Sequence, residues 1–138
     1  RGLGDVYKRQ ITDRAMSSVE KECAAQTDVK GKLTAFFEHV VLEPYRMISA
    51  MPDSADFVIG FEQAAKEELG KSYATYRVAM RDVLAPYRDA IEAAGLTVDL
   101  LSDYVIGSAK SFKKEAADEK ELKELLGVMT TLVVSITG

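Results

Sequence analysis

Apolar residues recur three and four positions apart along almost the whole chain, and few stretches alternate apolar and polar residues as a strand would. Residues at these spacings share one face of an α-helix, which has about 3.6 residues per turn. The pattern therefore predicts an all-α fold. Prolines, glycines and charge-rich stretches divide the pattern into about six helices, which we expect to pack as an antiparallel bundle.

The first two helices are predicted over residues 11–25 and from Asp28 onward. Pro44 interrupts the second helix, which has a wide apolar face. Proline offers no amide proton to the preceding turn and its ring crowds that turn, so we expect a kink or break at residues 42–44. The apolar positions of this helix are Leu33, Phe36, Phe37, Val40, Val41, Met47, Ile48 and Met51.

A third helix is predicted over residues 55–69, after the break at Pro52. The fourth helix has the clearest apolar pattern and runs from Tyr73 to Ala94. Pro86 lies inside it and should bend it for the reason given for the second helix.

The last two helices have recognisable starts. Gly95 ends the fourth helix, Thr97 is placed to cap the fifth, and the fifth runs to about residue 116. Asp118 and Glu121 form a capping pair for the sixth. The second half of the sixth helix is apolar nearly all round, so it needs more cover than one neighbouring helix provides.

Two arrangements would cover this last helix. It is either the central helix of the bundle, or it pairs together with the fifth helix against a second copy across a two-fold axis. We favour the dimer, because two-fold dimers are the commonest oligomers and several small residues would allow close approach. These small residues are Gly107, Ser108, Gly127 and Thr130. The predicted interface residues are Leu101, Tyr104, Val105, Ser108, Phe112, Leu122, Leu126, Met129 and Val133.

Most aromatic and methionine side chains fall in the three central helices. Such residues at helical spacing are usually core packing. Here two of the helices contain a proline that opens space, and tyrosine hydroxyls suit a mostly apolar ligand site. We therefore predict a pocket for a small apolar or amphipathic effector. Its predicted lining is Phe37, His39, Val41, Tyr45, Phe57, Phe61, Tyr76, Met80 and Tyr87, with His39 as the polar contact.

The sequence offers little for catalysis or metal binding. His39 is the single histidine, and Glu43 lies four residues on, but two ligands from one helical turn do not make a metal site. No glycine-rich phosphate loop, Cys-x-x-Cys pair or Gly-x-Ser-x-Gly motif occurs. We predict no enzyme activity, no cofactor and no metal; a small helical-bundle enzyme is the least favoured alternative.

The first ten residues differ from the rest of the chain and affect its net charge. The ten residues RGLGDVYKRQ lack helical periodicity, and DVYKRQ resembles a translated sequencing adaptor. We therefore expect residues 1–10 to be an artefact outside the fold, and residues 11–138 to form a single domain whose native N-terminus is missing. Without the first ten residues the chain holds 15 Lys and Arg against 21 Asp and Glu, a net charge of −6.

Features of targeting sequences are also missing from the pattern. The first thirty residues offer none of the features of a signal peptide, and the chain holds no apolar run of the roughly 18 residues that a membrane span needs. The single Cys23 allows no intrachain disulfide, which agrees with a reducing compartment. We expect a cytoplasmic protein without membrane contact.

The order of helices resembles the C-terminal regulatory domain of TetR-family transcriptional regulators across residues 11–138. The matching segments are ITDRAMSSVEKECAA, LTAFFEHVVLEPYRMISAM, DFVIGFEQAAKEEL, AMRDVLAPYRDAIEAAGLTVDLLSDYVIGSAKSF and ELKELLGVMTTLVVSIT. The resemblance implies a repressor or activator that forms a homodimer through its last two helices. It also implies that an effector in the middle helices moves the first helix and so changes the spacing of two DNA-binding heads. The alternative is a stand-alone helical dimer that binds or sequesters a ligand.

The charge gives the first testable prediction. An acidic domain is repelled by phosphate backbones, so operator DNA would be bound only through the missing N-terminal domain of the parent protein. We expect this chain to show no binding to duplex DNA in an anisotropy titration at moderate salt. Binding tighter than micromolar would contradict that expectation.

Overall fold

The computed structural model describes residues 3–49 and 73–137, and every regular element in these two ranges is a helix. The all-α prediction is confirmed for the described part of the chain. The predicted third helix, residues 55–69, lies outside the described residues.

The described elements follow each other as α1 (Leu3–Ala25), α2 (Val29–Phe37), a π-helical turn (Glu38–Leu42), α3 (Glu43–Ser49), α4 (described over 73–84), a 3-10 turn (Ala85–Tyr87), α5 (Arg88–Ala93), α6 (Val98–Glu115) and α7 (Glu119–Thr137). Helix α1 begins at Leu3 and not at residue 11, so helical structure runs through residues that we expected to lie outside the fold. The origin of those residues as an artefact stays a prediction.

Three helices begin at capping side chains; the sequence predicts the caps at Thr97 and Asp118, and at Asp28 it predicts the helix start. The carboxylate of Asp28 accepts a hydrogen bond from the amide three residues on at 2.8 Å, the Thr97 hydroxyl does so at 3.0 Å and the Asp118 carboxylate at 2.9 Å. The side chain of Glu121 also reaches back to the amide of Ala117, at 3.4 Å. These contacts satisfy amides that have no partner within the first helical turn.

Both interior prolines coincide with a change of helix type. Before Pro44 the chain widens into the π-helical turn, where the amide of Glu43 bonds to the carbonyl of Glu38. Pro44 cannot donate to the carbonyl of Val40, and the wider turn relieves the crowding between that carbonyl and the proline ring. Pro86 lies within the 3-10 turn between α4 and α5. The predicted interruptions are therefore present in both helices.

Helix α7 is central to the described core. It contacts α2, α5, α6 and the π-helical turn. One face of α7, formed by Leu122, Leu126, Met129 and Val133, is buried against these neighbours. The largest fully buried side chains are Phe36, Leu33, Met80, Leu84, Ile91, Ile106, Leu122 and Val105. None of the described helices is long and apolar enough to cross a membrane.

Candidate functional site

An apolar groove of about 560 Å³ runs between α6 and α7. Its walls contain leucine, valine, isoleucine, methionine, phenylalanine and tyrosine side chains and two serines, and no charged residue. We call it the α6/α7 groove. Surfaces of this kind are uncommon on proteins that act alone, because contiguous exposed apolar patches usually mark a binding site.

The groove has a buried floor and an exposed rim. The floor side chains belong to the protein core and are at most 5% exposed; they are Leu101, Met129 and Val133. The rim side chains are 56–64% exposed and are Leu100, Tyr104, Val128 and Leu132. Each of the two helices therefore has a wide apolar stripe. One edge of the stripe is buried in the core, and the other edge is exposed to solvent.

Six of the predicted interface residues line this groove: Leu101, Tyr104, Ser108, Phe112, Met129 and Val133. The other three, Val105, Leu122 and Leu126, are buried in the core and do not line it. The lining also includes residues that the sequence analysis did not assign: Leu96, Leu100, Leu125, Val128, Leu132, Ser135 and Ile136. Leu100, Leu125 and Leu132 lie three or four residues from Tyr104 or Met129, and this spacing was the signal that would have identified them.

Two of the small residues expected to allow close approach lie on a different side of α7. Gly127 and Thr130 line a recess of about 330 Å³ that is shared with Thr34, Phe37 and Leu42 of α2 and the π-helical turn. They do not line the α6/α7 groove. Gly127 is exposed, and the close approach expected at these two residues stays a prediction.

The predicted effector-site residues that the structure describes lie in or against the core. Phe37, Val41, Tyr76 and Met80 are buried there. Tyr45 and Tyr87 pack against this cluster and are partly buried. Phe57 and Phe61 lie outside the described residues. The effector pocket as a whole stays a prediction.

His39, predicted as the polar contact of that pocket, is held between two carboxylates. Its Nδ1 lies 2.8 Å from Oε2 of Glu43, and its Nε2 lies 2.9 Å from Oε2 of Glu22 on α1. Burial lowers the pKa of His39, but the two carboxylates raise it by more, so the pKa lies above its ordinary value. Among the described side chains, no group of three or more His, Cys, Asp or Glu is arranged to hold a metal ion.

A second set of ion pairs joins α3 to its neighbours. The guanidinium of Arg46 lies 3.1 Å from a carboxylate oxygen of Glu38 and 3.0 Å from one of Glu119, at the start of α7. Lys123 also pairs with Glu119, at 3.1 Å. Hydrogen bonds from Arg46 and Lys123 lower the pKa of Glu119. These contacts join α3 and the π-helical turn to the start of α7.

No family model, curated protein or solved structure matches this chain. Its functional interpretation therefore depends on the α6/α7 groove, on the aromatic core and on the His39 contacts.

The division of the groove into floor and rim gives a stability prediction. Met129→Glu places an unpaired charge in the core and should cost about 3–5 kcal/mol of the free energy of unfolding. Leu132→Glu places the same charge on the rim, where solvent hydrates it, and should change the free energy of unfolding by less than about 1 kcal/mol. Urea denaturation at the lowest practical protein concentration measures both. Equal losses for the two variants would contradict the division.

Proposed function

We propose that this chain is the effector-binding and dimerisation domain of a TetR-type transcriptional regulator that senses a small apolar or amphipathic molecule. The observation that carries the proposal is the uncharged α6/α7 groove, formed by the two helices that the resemblance assigns to dimerisation. The effector part of the proposal is supported by the aromatic and methionine cluster beside the two proline interruptions.

A second copy of this chain is the proposed occupant of the groove. Helices of the lengths of α6 and α7 form a face about 27 Å long and 20 Å wide. A stable protein interface buries about 800 Å² on each partner, which is the scale of such a face and its side chains. The absence of charged side chains from the lining matches the depletion of charge in the centres of interfaces.

The shape of the groove also suits a symmetric partner. In a two-fold dimer the same surface is used by both copies, so each raised rim must fit a depression on the other. Here the rim, with Tyr104 from α6 and Leu132 from α7, adjoins a depression whose floor is Met129. Two copies related by a two-fold axis would insert rim side chains into each other's groove and form a four-helix interface.

The effector proposal depends on core side chains that come from α2, the π-helical turn and α4. Phe37, Val41 and Met80 supply buried apolar surface there, and Tyr45 supplies a hydroxyl at a partly buried position. Changes of helix type on both sides of this cluster are places where helices can alter their packing when a ligand binds. An apolar cavity with a few polar groups is the usual form of a small-molecule site.

Val128→Glu tests the dimer. The side chain is 59% exposed, so the substitution should leave the monomer folded while introducing a charge into the interface. Sedimentation at tens of micromolar should show a wild-type dimer and a Val128→Glu monomer. Val78→Glu is the matched control: Val78 is 54% exposed, lies on α4 outside the groove, and should leave the dimer intact.

The dimer proposal fails if the wild type sediments as a monomer, or if Val128→Glu sediments as a dimer. Circular dichroism should show the same helix content for both variants, which separates loss of the dimer from loss of folding.

A thermal-shift screen of flat aromatic and amphipathic compounds tests the effector site. A compound that binds the folded chain should raise its melting temperature in proportion to the logarithm of concentration above Kd. Tyr45→Phe keeps the ring and removes the hydroxyl, so it should weaken the binding of such a compound by up to about tenfold. The same change at Tyr104, on the groove rim, should leave Kd unchanged. Loss of binding with Tyr104→Phe alone would place the ligand in the groove and contradict the proposed pocket.

A further inference from the structure

The imidazole of His39 connects two parts of the chain that are distant in sequence. Its side chain is 14% exposed and lies in the π-helical turn, with one carboxylate facing each ring nitrogen. Glu43 follows four residues later, at the start of α3, whereas Glu22 belongs to α1. His39 is thus a side-chain contact between α1 and the π-helical turn.

The protonation state of His39 decides whether both contacts are attractive. A neutral imidazole has one N–H and one lone pair, and an ionised carboxylate only accepts hydrogen bonds. Two carboxylates can therefore be held at the two ring nitrogens only by the imidazolium, which has an N–H on both. After deprotonation one nitrogen would face a carboxylate with its lone pair, and that contact would become repulsive.

The geometry indicates which contact is lost. The Nδ1 contact with Glu43 is an aligned hydrogen bond. The Nε2 contact with Glu22 is nearly as close, at 2.9 Å, but the Glu22 side chain is 51% exposed against 34% for Glu43 and belongs to another helix, so water can replace the imidazole there most easily. The neutral ring would keep its proton on Nδ1, and the contact with Glu22 would then break.

We propose that His39 is a proton-dependent latch that ties α1 to the π-helical turn through Glu22 and releases it when the imidazole loses its proton. The latch follows from these contacts alone and does not depend on the proposed dimer or on an effector. Val19 of α1 remains anchored in the core, so release loosens the C-terminal part of α1 without detaching the helix.

Several other charged groups around the π-helical turn pair with one another. Arg46 of α3 pairs with Glu38 of the turn and with Glu119 of α7, and Lys123 of α7 pairs with Glu119. The last turn of α6 contains two further basic residues, Lys113 and Lys114. The groups that face His39 from α1 and α3 are the carboxylates of Glu22 and Glu43, which favour the charged ring.

These carboxylates set the direction of the pH dependence. Because the pKa of His39 is raised on folding, the latch stabilises the fold fully below the ordinary histidine pKa of about 6.5. That stabilisation is lost as the pH rises through the higher pKa of the folded chain. We therefore expect α1 to loosen as the pH rises into the weakly alkaline range.

Nuclear magnetic resonance can follow the latch directly, because His39 is the single histidine in the chain. The imidazole should titrate above its ordinary pKa in the wild type, and Glu22→Gln should lower that pKa by about 1. Amide exchange in α1, corrected for intrinsic rates, should increase by about tenfold across the titration in the wild type. In Glu22→Ala, which leaves no polar side chain at Nε2, the exchange of α1 should be fast at every pH.

Glu92→Gln provides the control, since Glu92 is exposed on α5 and the variant removes the same charge elsewhere. It should keep both the wild-type pKa and the pH-dependent exchange. His39→Gln, which does not titrate, should remove the pH dependence while the rest of the chain stays protected. The latch is overturned if His39 titrates at or below its ordinary pKa, or if α1 exchange in the wild type does not change across the titration.

Discussion

Helix α7 has more apolar surface than the described part of the chain buries. Its two apolar faces therefore differ in their surroundings. One face, with Leu122 and Leu126, closes the core against α2 and α6. The adjoining face presents Val128 and Leu132 to solvent. Burying a large apolar side chain contributes about 1.5–3 kcal/mol, so several such residues left on one rim are a strong driving force for association. The proposed dimer is the arrangement in which this second face is covered.

The sequence was sufficient to predict elements whose causes are local. Helical periodicity predicted the fold class, Asp28, Thr97 and Asp118 predicted helix starts, and the prolines at 44 and 86 predicted changes in helix geometry. Each of these depends on the bonding of one turn of backbone. Residues within a few positions in the sequence set most of that bonding, so a single sequence contains the information that predicts it.

The candidate site was predictable only in part, because its details depend on which helix packs where. A wide apolar stripe does not distinguish Met129 on the floor from Val128 on the rim, or from Leu122 in the core. For the same reason the sequence does not show that Gly127 lies outside the groove. The spacing of His39 and Glu43 was visible in the sequence, but the partner on α1 was not: Glu22 comes into contact only through the packing of α1 on the π-helical turn.

The most direct test of the proposed dimer is a nuclear Overhauser experiment on a mixture of isotope-labelled and unlabelled chains. Only pairs of protons on different copies give signals in such a sample. The account predicts contacts between copies from the methyl groups of Leu100, Val128 and Leu132, and none from Val78 on α4. Contacts between copies that map to α4 or α5, or no such contacts at hundreds of micromolar, would contradict the claim that a second copy covers the α6/α7 groove.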